Sequence, residues 1–168
     1  MKKIVIASSI IIFIVMVVFI SSFSMEDDAL SHAGGHIPDD IGAFTLINKI
    51  EGEEANRIVN QLHGREVELD VAYAIEYQTR GGSFALVWIS ESNQEGKPTK
   101  LFEEMKQIMA VNNAYSNNSE KLINDKVVQY ALGVERDTYY FVSNNRFIFV
   151  ETFEDTRDRF IKNAVKIF

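Results

Sequence analysis

The chain has no cysteine in its 168 residues. That removes disulfides, thiol nucleophiles, cysteine-ligated metal centres and a lipidated N-terminal cysteine together. Histidine is scarce, with three residues, and two of them, His32 and His36, fall in one short stretch, HAGGHIPDD. Only two prolines and one tryptophan are present. There is no G-x-S-x-G, no phosphate-binding glycine loop, no G-x-G-x-x-G, no H-E-x-x-H and no S-x-x-K. The common hydrolase, nucleotide-binding and metalloprotease signatures are therefore missing. Basic charge is also short: 17 Lys and Arg stand against 24 Asp and Glu, a net charge of −7. Setting aside Lys2 and Lys3, the remainder carries −9. An acidic surface repels nucleic-acid phosphates and anionic headgroups, so no nucleic-acid partner is expected.

What the chain does have is an apolar start. MKKIVIASSIIIFIVMVVFISSFS opens with two lysines and then runs without charge to Ser24. Ile4 to Phe23 meets the roughly 20 apolar residues that a membrane helix needs. Ser22-Phe23-Ser24 also offers a small-x-small site of the kind that ends a signal peptide. Residues 1–24 are read as a signal anchor or, if cleaved, as a signal peptide. Both readings leave the lysines in the cytoplasm and send the rest of the chain outside the cell membrane, anchored by one pass or secreted.

Residues 25–40, MEDDALSHAGGHIPDD, mix charge, a Gly-Gly pair and a proline without apolar periodicity, and read as a flexible juxtamembrane linker. Residues 41–168 read as a single extracytoplasmic domain. Its periodicities predict β-α-β-β-α-β-β-β-α. FTLINKI (44–50) is a strand and 52–64 a helix with Ala55, Ile58, Val59 and Leu62 on one stripe. VELDVAYAIEY (67–77) alternates strictly, and FALVWIS (84–90) is apolar on both faces, as a strand covered on both sides would be. A helix over 99–111 follows, then a polar, Asn-rich loop over 112–125. Strands at 127–132, 138–142 and 146–153 precede a closing helix at 155–168. The expected class is α+β: an antiparallel sheet with helices packed mainly on one face.

Three groups of residues could carry function. His32 and His36, four apart and followed by Asp39 and Asp40, hold donors suited to a weak Zn²⁺, Cu²⁺ or Ni²⁺ site, although Gly34-Gly35 between them opposes the helix that would align the imidazoles. Otherwise no cofactor is expected. Glu66, Glu68, Asp70 and Glu76 fall on one face of the 67–77 pattern, where carboxylate pairs could serve a hydrolase or simply meet solvent. Trp88, Tyr139 and Tyr140 could form an aromatic surface for a partner or ligand. Tyr139 and Tyr140, as strand neighbours, must point to opposite faces. The leading expectation is a non-enzymatic, membrane-anchored binding or accessory domain for an envelope protein or small ligand. A metal-binding or metal-delivery protein using His32 and His36, and a carboxylate hydrolase, are the alternatives.

Overall fold

The structure, a computed structural model, describes residues 35–63, 65–133, 136–153 and 157–168. The apolar leader, the linker as far as Gly34, and His32 with it, lie outside the described residues. Among the described residues no helix is long and apolar enough to cross a membrane.

Eight strands form one sheet: β1 (Asp40–Ile41), β2 (Phe44–Glu51), β3 (Val71–Gln78), β4 (Phe84–Glu91), β5 (Ser116–Ile123), β6 (Lys126–Leu132), β7 (Asp137–Ser143) and β8 (Arg146–Thr152). Among the described residues three helices accompany it: α1 (Glu53–His63), α2 (Lys97–Val111) and α3 (Arg157–Ile167). The strand order is β1-β2-β3-β4-β8-β7-β6-β5, and every neighbouring pair is antiparallel. The chain meanders through β1–β4, crosses by α2 to the far edge, and meanders back until β8 closes against β4. The fold is α+β, as the periodicity predicts.

Two strands exceed the sequence reading. β1 has only two residues. β5 occupies the stretch read as an Asn-rich loop. It lies at the sheet edge and is exposed along most of its length, so neither face imposes the apolar alternation by which strands are recognised. Its turn into β6 places Asn124 at φ 49° and Asp125 at φ 62°. Two consecutive left-handed residues make the mirror-image turn that matches strand twist, and Asn and Asp tolerate it. The alternating pattern of 67–77 also outruns its strand. Residues 67–70 form a lead-in on which Val67 is buried, its N–H donating to Asn60 Oδ1 at 2.8 Å.

Helices lie on both faces, α3 on one and α1 and α2 on the other. On one side, α3 sets Phe160, Ile161, Ala164 and Val165 against Tyr73, Ile75, Tyr77, Val87, Ile89, Phe141, Ile148 and Val150. Phe160 meets Phe44 edge-on at 4.9 Å between ring centroids and Tyr77 at 5.7 Å. On the other side, Ala55 and Val59 of α1 pack on Ala72, and Phe102 of α2 lies 5.6 Å from the Tyr140 ring. β4, apolar on both faces, is central and buried from Ala85 onward. Each fully buried large apolar side chain contributes about 1.5–3 kcal/mol, so two cores on one sheet can hold a domain that has no disulfide.

The domain also starts earlier than Ile41. Residues 35–39 form a strap pinned to the α3 side of the sheet. Gly35 N–H donates to Glu91 Oε2 at 3.3 Å, the His36 carbonyl accepts from Arg146 Nη1 at 3.3 Å, and the Pro38 carbonyl accepts from the Tyr77 hydroxyl at 2.8 Å. Ile37 packs on the core. Residues 35–40 are thus part of the fold and not linker, because their carbonyls and amides find fixed partners on β3, β4 and β8. A Cβ at Gly35 would lie 2.1 Å from Arg146 Nη2, so any larger residue there requires the guanidinium to shift.

Candidate functional site

The aromatic candidates come first. Tyr139 and Tyr140 do point to opposite faces. Tyr139 lies in the α3-side core with its ring 5.1 Å from Tyr130. Tyr140 sits beneath α2, stacked on Phe149 at 6.2 Å and 15°. Burial pushes the Tyr140 hydroxyl up to about 12, with Glu103 adding to the shift. Trp88 packs edge-on against Phe149 at 5.6 Å. The three residues are only 3%, 1% and 3% exposed for Trp88, Tyr139 and Tyr140. A partner surface built from them is therefore corrected: helices on both faces turn them into core.

The histidine segment is reached only in part. His36 is exposed, while its carbonyl is held by Arg146. Asp39 uses its carbonyl to accept from Leu46 N–H at 2.8 Å, and Asp40 Oδ1 accepts from the Thr45 hydroxyl at 2.8 Å. Asp40 thereby closes the β1–β2 turn. Among the described residues there is no group of three or more His, Asp or Glu able to hold a metal ion.

The acidic row of 67–77 does not survive as one strand face, because three of its members precede β3. Glu66, Glu68 and Asp70 are exposed on the lead-in, and Asp70 accepts from the Asn93 amide. Glu76 alone lies in β3. It is half-buried, and desolvation raises its pKa above the usual carboxylate value.

Sequence reasoning missed two glutamates whose burial is more informative, Glu91 and Glu151. They form two internal Arg–Glu pairs, one on each face of the sheet. On the α2 face, Glu151 of β8 lies between its cross-strand neighbours Leu86 and Thr138. Arg136 Nη1 donates to Glu151 Oε2 at 2.9 Å, and both side chains are largely enclosed. Burial pushes Glu151 up to about 7, while the charge and hydrogen bond of Arg136 pull the other way. Tyr115 stands in the same electrostatic environment; burial raises its phenol first and Glu151 second, with Arg136 opposing. On the α3 face, Glu91 and Arg146 sit directly opposite each other where β4 meets β8. Arg146 Nε donates to Glu91 Oε2 at 3.0 Å, and Asn145 Nδ2 donates to Glu91 Oε1 at 3.2 Å. Arg146 Nη2 is buried without a hydrogen-bond partner.

The available signal was a charged residue inside or at the end of an apolar run, as in FALVWISE and RFIFVETF. Such a residue is buried whenever both faces of the strand are covered. Chemically, Glu151 can hold or release a proton near neutral pH. Glu76 and Glu151 share one row with Leu86 between them, two strand spacings or about 10 Å apart. Glu151 is nevertheless enclosed, so this row does not present two carboxylates to a substrate.

Beside Glu151, the Thr138 hydroxyl is fully buried and lacks a hydrogen-bond partner. Thr138→Val keeps the shape and removes an unsatisfied polar group. It is expected to raise stability by about 1 kcal/mol in urea denaturation. A loss of stability would show that the hydroxyl is satisfied.

No protein-family model, curated protein or solved structure matches this chain.

Proposed function

We propose that this protein is a membrane-anchored extracytoplasmic domain with a non-catalytic, accessory role toward an envelope protein. The observation that carries this reading is the strap. The chain enters the domain at a built position, where a buried ion pair, a tyrosine hydroxyl and an apolar contact hold residues 35–38. Only residues 25–34 then separate the apolar leader from a fixed point on the sheet. Ten residues reach at most about 34 Å. A domain tethered that closely meets other envelope proteins at high effective concentration, so a modest interface suffices.

Crosslinking of the full-length protein in its own membranes, followed by recovery in mild detergent, tests the reading. The expected result is a chain of intact mass, 19.1 kDa, with a stoichiometric protein partner. Recovery of a chain that begins at Met25, with no partner, would overturn it.

A further inference from the structure

We infer that residues 35–37 form a releasable clasp that sets the length of the tether leading into the domain. The inference rests on the accessory reading above and names how the reach of the anchored domain is regulated.

The strap is held at two levels of unequal strength. The lower level is firm. The Pro38 carbonyl accepts from the Tyr77 hydroxyl, the Asp39 carbonyl from the Leu46 amide and Asp40 Oδ1 from the Thr45 hydroxyl, each at 2.8 Å. Pro38 is buried, and Ile41 is fully buried in the α3-side core. The upper level is loose. Its two bonds, Gly35 N–H to Glu91 Oε2 and Arg146 Nη1 to the His36 carbonyl, both span 3.3 Å, longer than the roughly 2.7–3.2 Å usual for N–H···O. Gly35 and His36 are exposed, and Ile37 is half-buried.

Closing the upper level also leaves a polar group unsatisfied. Arg146 Nη2 is buried without a hydrogen-bond partner. Gly35 is the strap residue packed on it, since a Cβ there would lie 2.1 Å from that nitrogen. An enclosed charged donor without an acceptor is unfavourable, and lifting Gly35 away returns it to water. Lifting strands no other charge. Glu91 keeps two donors that do not belong to the strap, Arg146 Nε at 3.0 Å and Asn145 Nδ2 at 3.2 Å. Opening beyond Ile37 is different, because it removes the Tyr77 bond and then unburies Ile41. The two levels therefore open separately, and Pro38 is the stop.

Release changes the reach of the domain. With the clasp closed, ten residues, 25–34, separate the leader from the fixed strap; with it open there are thirteen, 25–37. At about 3.4 Å per extended residue, the reach grows from about 34 Å to about 44 Å. A partner protein whose site lies between those distances binds only the released form. Its binding then draws the equilibrium toward release.

Two measurements on the full-length protein test this. The first is hydrogen exchange in mild detergent across low urea concentrations. The Gly35 amide is expected to exchange about a hundredfold faster than the Leu46 amide and without urea dependence, as a local opening does. Equal rates and equal urea slopes at the two amides would overturn the inference. The second is the yield of the partner adduct after crosslinking in native membranes. Gly35→Ala forces the guanidinium to shift and weakens the closed clasp. Insertion of Gly-Ser-Gly after Ala33 lengthens the tether and leaves the strap and its seat intact, so it serves where the alanine variant fails to fold. Each change is expected to raise the yield about threefold, and both together no further than either alone. An unchanged yield in both, or a rise with Gly35→Ala that the insertion does not reproduce, would remove the clasp and leave the accessory role standing. No partner from any of these membranes would remove both.

Discussion

Arg146→Ala is expected to lower stability by about 3–5 kcal/mol, measured by urea denaturation. The guanidinium lies opposite Glu91 where the end of β4 meets the start of β8, and both side chains are nearly fully buried. Removing the arginine leaves the Glu91 carboxylate in a low-dielectric interior with only the Gly35 amide and Asn145 Nδ2 as donors. An uncompensated buried charge is the costly outcome. The strap should loosen as well, because the His36 carbonyl loses its donor. Hydrogen exchange at the Gly35 amide should accelerate, while residues near Pro38 stay protected by the Tyr77 hydroxyl and the packing of Ile37. Replacing both partners with apolar residues, as Glu91→Leu with Arg146→Met, should restore most of the loss, since neither charge is then stranded. The strap should remain loose even so. A cost below about 1 kcal/mol for the single change would mean that water reaches the pair, and the account of a buried latch would fail.

Glu151 should make the protein less stable as pH rises, the reverse of an ordinary paired carboxylate. In the folded chain its proton is held up to about pH 7, against an ordinary value of 4.5. Between those values the folded state binds a proton that the unfolded state has released. Stability from this group is therefore fully present below about pH 4.5 and is lost as pH climbs to about 7. The gap corresponds to about 3 kcal/mol, set mainly by burial and reduced by Arg136. Glu151→Gln keeps the shape and an acceptor for Arg136 while abolishing the titration. Denaturation of both proteins at about pH 5 and about pH 8 isolates the group from all others. The wild type should lose about 3 kcal/mol more than the variant over that range, and parallel pH dependences would refute the assignment.

Much of the architecture was legible because one force dominates each signal. The strip Ala55–Val59 and the run Phe160, Ile161, Ala164, Val165 marked helices, since burial on one side imposes the helical period. FALVWIS marked a central strand, since a strand covered on both sides has no polar face. β5 was not legible, because an edge strand with wet faces is built by its neighbour's hydrogen bonds and not by apolar alternation. The strap was unreadable for a related reason. Its partners, Glu91, Arg146 and Tyr77, lie 39 or more residues away in sequence.

By itself the sequence determined the α+β class, the uncharged apolar stretch of residues 4–23, the acidic balance, the absence of thiol chemistry and the central place of 84–90. Each of these depends on composition or on a local period. The tertiary structure alone decided that Tyr139, Tyr140 and Trp88 are core, that residues 35–40 belong to the domain, that Glu91 and Glu151 are buried beside arginines, and that β5 is an edge strand. Those are properties of which strands lie side by side. Only the closure of β8 against β4 brings residues 91 and 146 together and leaves 116–123 at the rim. Burial and hydrogen-bond partnership depend on neighbours distant along the chain, and a local pattern of residue types carries no record of them.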